Sequence, residues 1–246
     1  TKGNWSGNFS SDYNNRYQYK GGFDIGLSKL KNGIKDLPNY DEQKNFFLRW
    51  NHSQDPRSRP NSVFAASVNF GTSTMFINDI NSSVNDFLTT SFNSSISYKK
   101  SWAGKPFNLS INAYHSQNTT NETATVRLPE IAFNVSRLYP FKKKVMVGKQ
   151  KFYEKIGISY SMNTKNEVTA EEKLFGINYL DSLKKDFRNG MRHIVPLSTS
   201  LKVLKHFTLS PSINYSEVWY MNSINKNWNN QTNEVDVDTS YNFIRG

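Results

Sequence analysis

The segment Phe107–Tyr114, which reads FNLSINAY, alternates apolar and polar residues without a break. In an extended chain, successive side chains lie on opposite faces, so Phe107, Leu109, Ile111 and Ala113 share one face. The other face carries only asparagine, serine and tyrosine side chains. The segment therefore predicts a β-strand with one apolar face and one small, uncharged polar face.

The same two-residue period recurs along almost the whole chain, and helical periodicity is almost absent. It is present in Trp5–Tyr13, Phe23–Leu27, Phe46–Trp50, Phe64–Phe70, Phe92–Tyr98, Ile156–Met162, Leu197–Val203 and Phe207–Tyr215. The predicted strands have roughly 9 to 14 residues, which is longer than most soluble strands and close to the length that crosses a bilayer. This pattern predicts an all-β, antiparallel fold whose strands span a membrane.

The predicted connections between strands alternate between short and long. Short connections lie near Asn14–Arg16, Asp55–Asn61, Ser101–Pro106 and Leu204–His206, and long ones near Leu30–Gln43, Thr74–Phe87, Asn163–Gly190 and Met221–Glu234. Gln117–Glu122 and Pro140–Lys151 depart from this order, and Val168–Phe175 fits either a strand extension or a short helix. Short turns on one rim and long loops on the other are typical of an outer-membrane β-barrel. Aromatic pairs at predicted strand ends, such as Trp219 with Tyr220, fit an interfacial girdle.

The composition supports a barrel over a soluble globule. Hydrophobic residues make up 36% of the 246 residues and the mean hydropathy is −0.68, yet aromatic residues reach 14%, which is too many for a disordered chain. A barrel needs this mixture because one face of each strand meets lipid and the other meets water. The net charge of +11 favours anionic partners, although a solvated basic surface explains it equally well.

No catalytic motif is present. The chain lacks cysteine, HExxH, GxSxG, GxGxxG and a phosphate-binding glycine loop. His52 and His115 share the tripeptide His-Ser-Gln; a paired site in the lumen is the less favoured interpretation, and polar residues at strand ends the simpler one. We therefore expect no enzyme activity, no catalytic residue, no cofactor and no metal site.

The strongest basic cluster is the run Lys142, Lys143 and Lys144. It suits contacts with anionic lipid, and a solvated turn is the common alternative; nucleic acid is not an expected partner. The apolar face of the strands predicts a lipid-facing set. This set comprises Phe64, Val68, Phe70, Phe107, Leu109, Ile111, Ile156, Ile158, Leu209 and Ile213.

Several segments resemble the barrel of the LptD family of lipopolysaccharide-assembly proteins. Phe46–Ser53, FFLRWNHS, is similar to an early strand of that barrel, and Val63–Ile80 with its MFIND string is similar to the next strand and loop. Leu128–Pro140 and Asp186–His193 resemble strands of a more distant branch. The similarity extends from Trp5 to about Tyr220, and its weight comes from the order and spacing of these segments.

The resemblance implies that residues 1–246 form part of one transmembrane β-barrel domain, roughly its first half, without the family's periplasmic jelly roll and later strands. It implies transport of lipopolysaccharide into the outer leaflet through a lateral gate near Trp5, Phe9 and Tyr13, in the outer membrane of a Gram-negative bacterium. The implied partners are lipopolysaccharide, an LptE-like plug lipoprotein, a periplasmic LptA-like bridge reached through the jelly roll, and outer-membrane lipids. The alternatives are a porin or receptor-type channel and a soluble, secreted, glycan-binding β-sandwich.

Overall fold

The computed structural model describes residues 4–35, 37–38, 40–72, 91–118, 120–143, 145, 148, 150–175, 183, 186–203, 206–240 and 243–246. The described residues are strands joined by turns, with two short 3₁₀ turns at Phe152–Lys155 and Glu172–Phe175. Among these residues, no helix is long and apolar enough to cross a membrane.

The strands follow one another along the chain as fifteen elements. Their bounds are β1 Trp5–Asn15, β2 Tyr19–Asn32, β3 Asp41–Gln54, β4 Ser62–Gly71, β5 Ser91–Ser101, β6 Phe107–Asn118, β7 Thr123–Leu138, β8 Gly157–Glu171, β9 Arg188–Ser198, β10 Leu201–Val203, β11 Phe207–Leu209, β12 Ser212–Tyr220, β13 Ser223–Asn229, β14 Glu234–Ser240 and β15 Ile244–Arg245.

Eleven of these strands form one sheet in the order β1-β2-β3-β4-β5-β6-β7-β8-β9-β12-β15. Neighbours in the chain are neighbours in the sheet, as in an antiparallel meander. Two separate hairpins, β10–β11 and β13–β14, interrupt the chain on either side of β12. Within the described residues β1 and β15 do not pair, so the sheet is open. The predicted all-β antiparallel class is confirmed, and an open meander is what part of a large barrel provides.

Most strands of the large sheet have the predicted length. β1–β6, β9 and β12 have nine to fourteen residues, whereas β7 and β8 are longer, with sixteen and fifteen, and β15 has only two. β6 contains the whole alternating segment Phe107–Tyr114 and begins after a tight turn, in which the Lys105 amide donates to the Trp102 carbonyl over 2.9 Å. Gly104 occupies the left-handed region of that turn with φ +70°, a conformation that glycine adopts without strain.

The chain divides into two compact units. The first comprises residues 1–99, 112–128 and 167–187, and the second residues 100–111, 129–166 and 188–246. In the first unit Phe92 is 1% exposed and packs against Phe47. In the second unit the buried residues include Thr164 and Glu217. Few large apolar side chains are buried, and this is expected where a single sheet presents its apolar face outward.

Three segments differ from the predicted pattern. The predicted strands Leu197–Val203 and Phe207–Tyr215 are each broken in two. β9 ends at Ser198 and β10 begins at Leu201, while Pro211, which has no N–H to donate, lies between β11 and β12. β8 continues to Glu171, well into the predicted long loop Asn163–Gly190, and the 3₁₀ turn Glu172–Phe175 follows. The predicted long connection Thr74–Phe87 lies outside the described residues.

The side chain of Ser94 changes the alternation within β5. Its hydroxyl accepts from the Asn69 amide over 3.0 Å and donates to the Asn69 carbonyl over 2.9 Å, so a side chain takes the place of a backbone partner in the ladder. A side chain in the ladder interrupts the two-residue alternation at this point. Phe92 accordingly packs against Phe47, whereas Ile96 lies beside Leu48 on the other face. The sequence had placed Phe92 and Ile96 on one face.

Candidate membrane-facing surface

The ladder register of β1–β4 separates an apolar face from a polar one. Residues directly paired across antiparallel strands lie on the same face. The apolar rows are Phe9, Ile25, Leu48 and Phe70, and Phe23, Trp50 and Val68. The polar rows are Ser10, Asp24, Arg49 and Asn69, and Asp12, Gly22, Asn51 and Ser67. The sequence alternation is therefore kept in register from strand to strand.

Three residues of the predicted lipid-facing set lie on this apolar face. Val68 pairs with Trp50 and Phe70 pairs with Leu48, both across β3 and β4. The Phe64 ring lies 6.2 Å from the Trp50 ring, measured between centroids. The structure thus brings these three predicted residues together on one surface.

Aromatic side chains gather where this face meets the turns 16–18 and 55–61. We call Tyr13, Tyr19, Trp50, His52 and Phe64 the His52 cluster. The Tyr13 hydroxyl lies 2.9 Å from Nδ1 of His52, and the Trp50 indole N–H donates to the same hydroxyl over 2.9 Å. The rings of Tyr13 and Tyr19 stack on His52 with centroids 5.8 and 5.7 Å away. Amphipathic rings with satisfied polar groups are the residues that membrane interfaces favour.

A glycine makes this cluster possible. Tyr13 pairs with Gly21 on β2, and its side chain passes over Gly21 to reach His52 on β3. A Cβ atom at Gly21 would lie 2.3 Å from the Tyr13 hydroxyl and 2.3 Å from the Asn51 carbonyl oxygen. Only a residue without a Cβ atom leaves room for the Tyr13 side chain, so Gly21 determines where the aromatic cluster forms.

Charged side chains bound the opposite end of the same face. Glu42 accepts from Lys29 over 2.8 Å, and Lys31 and Lys44 lie 3.9 and 3.7 Å from its carboxylate. Lys44 and His52 are both on β3, and eight residues of strand span about 26 Å, or about 20 Å along the normal of a barrel tilted by about 40°. That height is close to the apolar band of an outer-membrane barrel.

A row of rings runs across the strands of the second unit. Neighbouring centroids are 6.2 Å apart for Phe107 and Phe133, 6.2 Å for Phe133 and Tyr160, 6.0 Å for Tyr160 and His193, and 4.2 Å for His193 and Trp219. The Tyr160 hydroxyl lies 2.8 Å from Nδ1 of His193. This tyrosine–histidine pair repeats the contact of the His52 cluster, and the sequence did not indicate it.

The other predicted lipid-facing residues are placed as follows. Leu109 and Ile111 lie in β6 at the same spacing as Phe107, Ile158 lies in β8 two residues before Tyr160, and Ile213 lies in β12 and is 72% exposed. Ile156 follows the first 3₁₀ turn and directly precedes β8. Leu209 belongs to β11, in the separate hairpin, where it pairs with Leu201. Lys142 and Lys143 are exposed in the connection after β7, and Lys144 lies outside the described residues.

A carboxylate on this surface was missed by the sequence reading. Glu217 is 7% exposed and pairs across the ladder with His193. It accepts from the Tyr215 hydroxyl over 2.7 Å and from the Trp219 indole over 2.6 Å, and it forms an ion pair with Arg245. The sequence did contain an indication of this carboxylate, because the two-residue alternation in β12 places Glu217 on the same face as Tyr215 and Trp219.

The three predicted gate-proximal residues all lie in β1, at one end of the sheet. Trp5 and Phe9 are 53% and 58% exposed, and the Phe9 ring contacts Phe23 at 5.4 Å. Tyr13 lies in the His52 cluster. β1 pairs with β2 along its full length from Trp5 to Asn15, and no strand pairs with its other edge among the described residues.

The two His-Ser-Gln tripeptides do not come together as a site. The His52 ring lies against Tyr13, while the His115 ring meets Phe70 edge-on at 5.0 Å and its nitrogens have no hydrogen-bond partner in the part of the chain that the structure describes. Within the described ranges, no group of three or more histidine, aspartate or glutamate residues is arranged to hold a metal ion.

Comparison with known proteins gives one result that agrees with this geometry. A family model described as LptD protein matches residues 1–246. Searches of curated proteins and of solved structures gave no match. The family match covers the whole chain, and the long antiparallel strands with one apolar face are what an outer-membrane protein of this family requires. The chain therefore belongs to the LptD protein family, whose members act in lipopolysaccharide transport and assembly at the outer membrane of Gram-negative bacteria.

Proposed function

We propose that this chain forms the first part of a barrel through which lipopolysaccharide reaches the outer leaflet, and that the lipid leaves sideways past β1. The general role in lipopolysaccharide transport follows from the family match. The sideways route, the lumen and the partners are our proposal.

One observation carries the sideways route. β1 lies at one end of the described sheet, beside β2, and this agrees with the gate-adjacent position that the family resemblance implies for it. Its apolar face presents Trp5 and Phe9 to the side on which lipid would lie. A seam at a barrel edge lets acyl chains stay in the membrane while the sugar chain remains in water, since burying unpaired polar groups in hydrocarbon is costly.

The opposite face of the sheet supports a wet lumen. In β1 it carries Ser6, Asn8, Ser10 and Asp12, and their partners in β2 are serine, glycine, aspartate and glycine. Small polar side chains can solvate a sugar chain without closing the lumen. We propose that this face also receives an LptE-like plug, and that lipopolysaccharide arrives from a periplasmic LptA-like bridge through a jelly roll.

The apolar face supports contact with outer-membrane lipids. We propose Phe64, Val68, Phe70, Phe107, Leu109, Ile111, Ile156, Ile158, Leu209 and Ile213 as its lipid-facing residues. Lys142 and Lys143 follow directly after Phe141, an exposed ring, and together with Lys144 we propose them as contacts for anionic lipid.

The sideways route is tested by photocrosslinking in cells. A photoreactive residue replaces Phe9 in β1 or, as the control, Ile213 in β12; both lie on strands of the large sheet and both are more than half exposed. We expect lipopolysaccharide crosslinks at Phe9 that disappear when the energy for export is withdrawn, and no such dependence at Ile213. Equal, energy-independent crosslinking at both positions would refute the route past β1.

A further inference from the structure

A cavity lies at the short-turn ends of β1, β2 and β3. It encloses about 530 Å³, and Arg16, Tyr17, Tyr19, His52 and Arg59 contribute to its lining. Tyr19 and His52 lie on the apolar face as members of the His52 cluster, so the cavity sits where that face ends. Neither the lipopolysaccharide route nor the lumen uses it.

Hydrogen bonds between two turns hold the walls of this cavity in place. The Asp55 amide donates to the Gln18 carbonyl over 2.8 Å, which ties the turn at 55–61 to the turn at 16–18. Each turn is also closed internally: the Gln18 amide donates to the Asn15 carbonyl, and the Ser58 amide to the Asp55 carbonyl, both over 3.0 Å. Tyr17 has a positive φ of 62°, which turns the chain sharply at the cavity wall. The two turns therefore form one fixed frame.

Two arginines in this frame have no carboxylate partner among the described residues. The Arg16 guanidinium lies over the Tyr17 ring, 4.8 Å from its centroid. Neither Arg16 nor Arg59 forms an ion pair among the described residues, whereas the neighbouring Arg57 lies 3.9 Å from Asp55. Guanidinium groups match the paired oxygens of a phosphate and bind them strongly where water is partly excluded.

The position relative to the membrane identifies the source of the phosphate. In outer-membrane barrels the short turns face the periplasm, so the cavity lies at the headgroup level of the periplasmic leaflet. The aromatic rings of the His52 cluster lie beside it, as interfacial rings do. A phosphate held here belongs to a lipid whose acyl chains can run along the apolar face between Tyr19 and Leu27.

We infer that this cavity binds the phosphodiester headgroup of one anionic glycerophospholipid from the periplasmic leaflet. The bound lipid occupies the outer side of β1–β3, next to the proposed exit strand but on the opposite rim from the outer leaflet. The inference needs the barrel to lie in the membrane, and it holds whether or not lipopolysaccharide leaves past β1.

The test is lipid retention by the intact protein. The protein is purified from nanodiscs that contain phosphatidylglycerol or phosphatidylcholine, and the lipids that remain bound after transfer to detergent are counted by native mass spectrometry. We expect one retained phosphatidylglycerol and at least about tenfold less retention in Arg16→Gln/Arg59→Gln, since each lost charge-assisted contact is worth about a factor of ten. Arg57→Gln, which changes an arginine of the same frame that is already paired, should keep the lipid.

The other outcomes are equally decisive. Equal retention in the wild type and the double variant, or equal loss in Arg57→Gln, would overturn the site. Displacement by inorganic phosphate alone would show a free-anion site, and preferential retention of lipopolysaccharide would show the wrong lipid; either rejects the inference. If the glutamine variant does not assemble, Arg16→Lys/Arg59→Lys keeps the charge but loses the paired geometry, and retention that is no weaker than in the wild type would also reject it.

Discussion

The hydroxyl of Tyr13 lies 2.9 Å from Nδ1 of His52, although the two residues are on strands that do not pair with each other. The side chain crosses β2 above Gly21 to make this contact. The edge strand β1 is thereby fastened to β3 at its short-turn end by a side chain as well as by the ladder to β2. In the proposed route past β1, this contact would hold the short-turn end of the exit strand in place.

Replacing Tyr13 by phenylalanine should weaken this anchor. The change removes the hydroxyl shared by His52 and Trp50 and leaves the ring, so we expect a loss of about 1–2 kcal/mol in the free energy of unfolding. Urea-dependent loss of the compact, heat-modifiable band on gels would measure it for the intact protein. Tyr19→Phe is the control, because the Tyr19 hydroxyl makes no hydrogen bond within the described structure. Similar losses in both variants would contradict the anchor.

Gly21→Ala should impair assembly, and Gly7→Ala should not. A Cβ at Gly21 meets the Asn51 carbonyl oxygen at 2.3 Å, so the backbone ladder itself must shift, at a cost of about 1–3 kcal/mol. Gly7 is also a strand glycine but has no atom within 4 Å of the added methyl group, so the change is neutral or stabilises by up to about 1 kcal/mol. The measurement is the fraction of each variant that assembles in the outer membrane. Normal assembly of Gly21→Ala would mean that the Tyr13 side chain does not pass over β2 at this position.

Ser94→Ala should destabilise the sheet at β4–β5. The hydroxyl satisfies both the amide and the carbonyl of Asn69, and alanine leaves both without that partner, which costs about 1–3 kcal/mol. Ser95→Ala changes the next residue, whose hydroxyl makes no hydrogen bond in the described part of the chain. The difference between the two unfolding free energies isolates the contribution of the Ser94 hydroxyl, and no difference would show that the β4–β5 ladder does not depend on it.

Neutralising Arg245 alone should lower the free energy of unfolding more than neutralising Arg245 and Glu217 together. Arg245→Gln leaves the carboxylate of Glu217, which is 7% exposed, without its cation and should cost about 2–4 kcal/mol. In Glu217→Gln/Arg245→Gln the neutral amide still accepts from Trp219, so part of the stability returns. The same unfolding assay compares the two. An additive loss in the double variant would show that the charges are independent.

The alternation of the sequence predicted most of the long strands and, in β1–β4, which side chains share the apolar face. The segment Phe107–Tyr114 became β6, and Phe9, Ile25 and Leu48 lie in register as their periods required. Strand length and the two-residue period are local properties, so they can be predicted from a single sequence. The family was also recognised from strings such as Phe46–Ser53, and the family match confirms it.

The sequence could not predict contacts that depend on register between distant segments. The Ser94 hydroxyl acts on Asn69, and nothing near Ser94 in the chain distinguishes it from Ser95. Tyr160 and His193 are 33 residues apart, so no local pattern in the sequence indicates their contact. The tripeptide shared by His52 and His115 does not mark similar contacts, in agreement with the simpler interpretation of polar residues at strand ends. His52 and His193 are the two histidines that each meet a tyrosine hydroxyl, because partners across a sheet follow ladder register and not local sequence similarity.

The role in lipopolysaccharide transport is tested most directly by surface labelling of lipopolysaccharide in cells depleted of the intact protein. We predict that surface label falls while lipopolysaccharide accumulates inside the envelope, and that restoring the wild-type protein restores the label. Unchanged surface labelling after depletion would contradict the account and leave an outer-membrane sheet with another cargo.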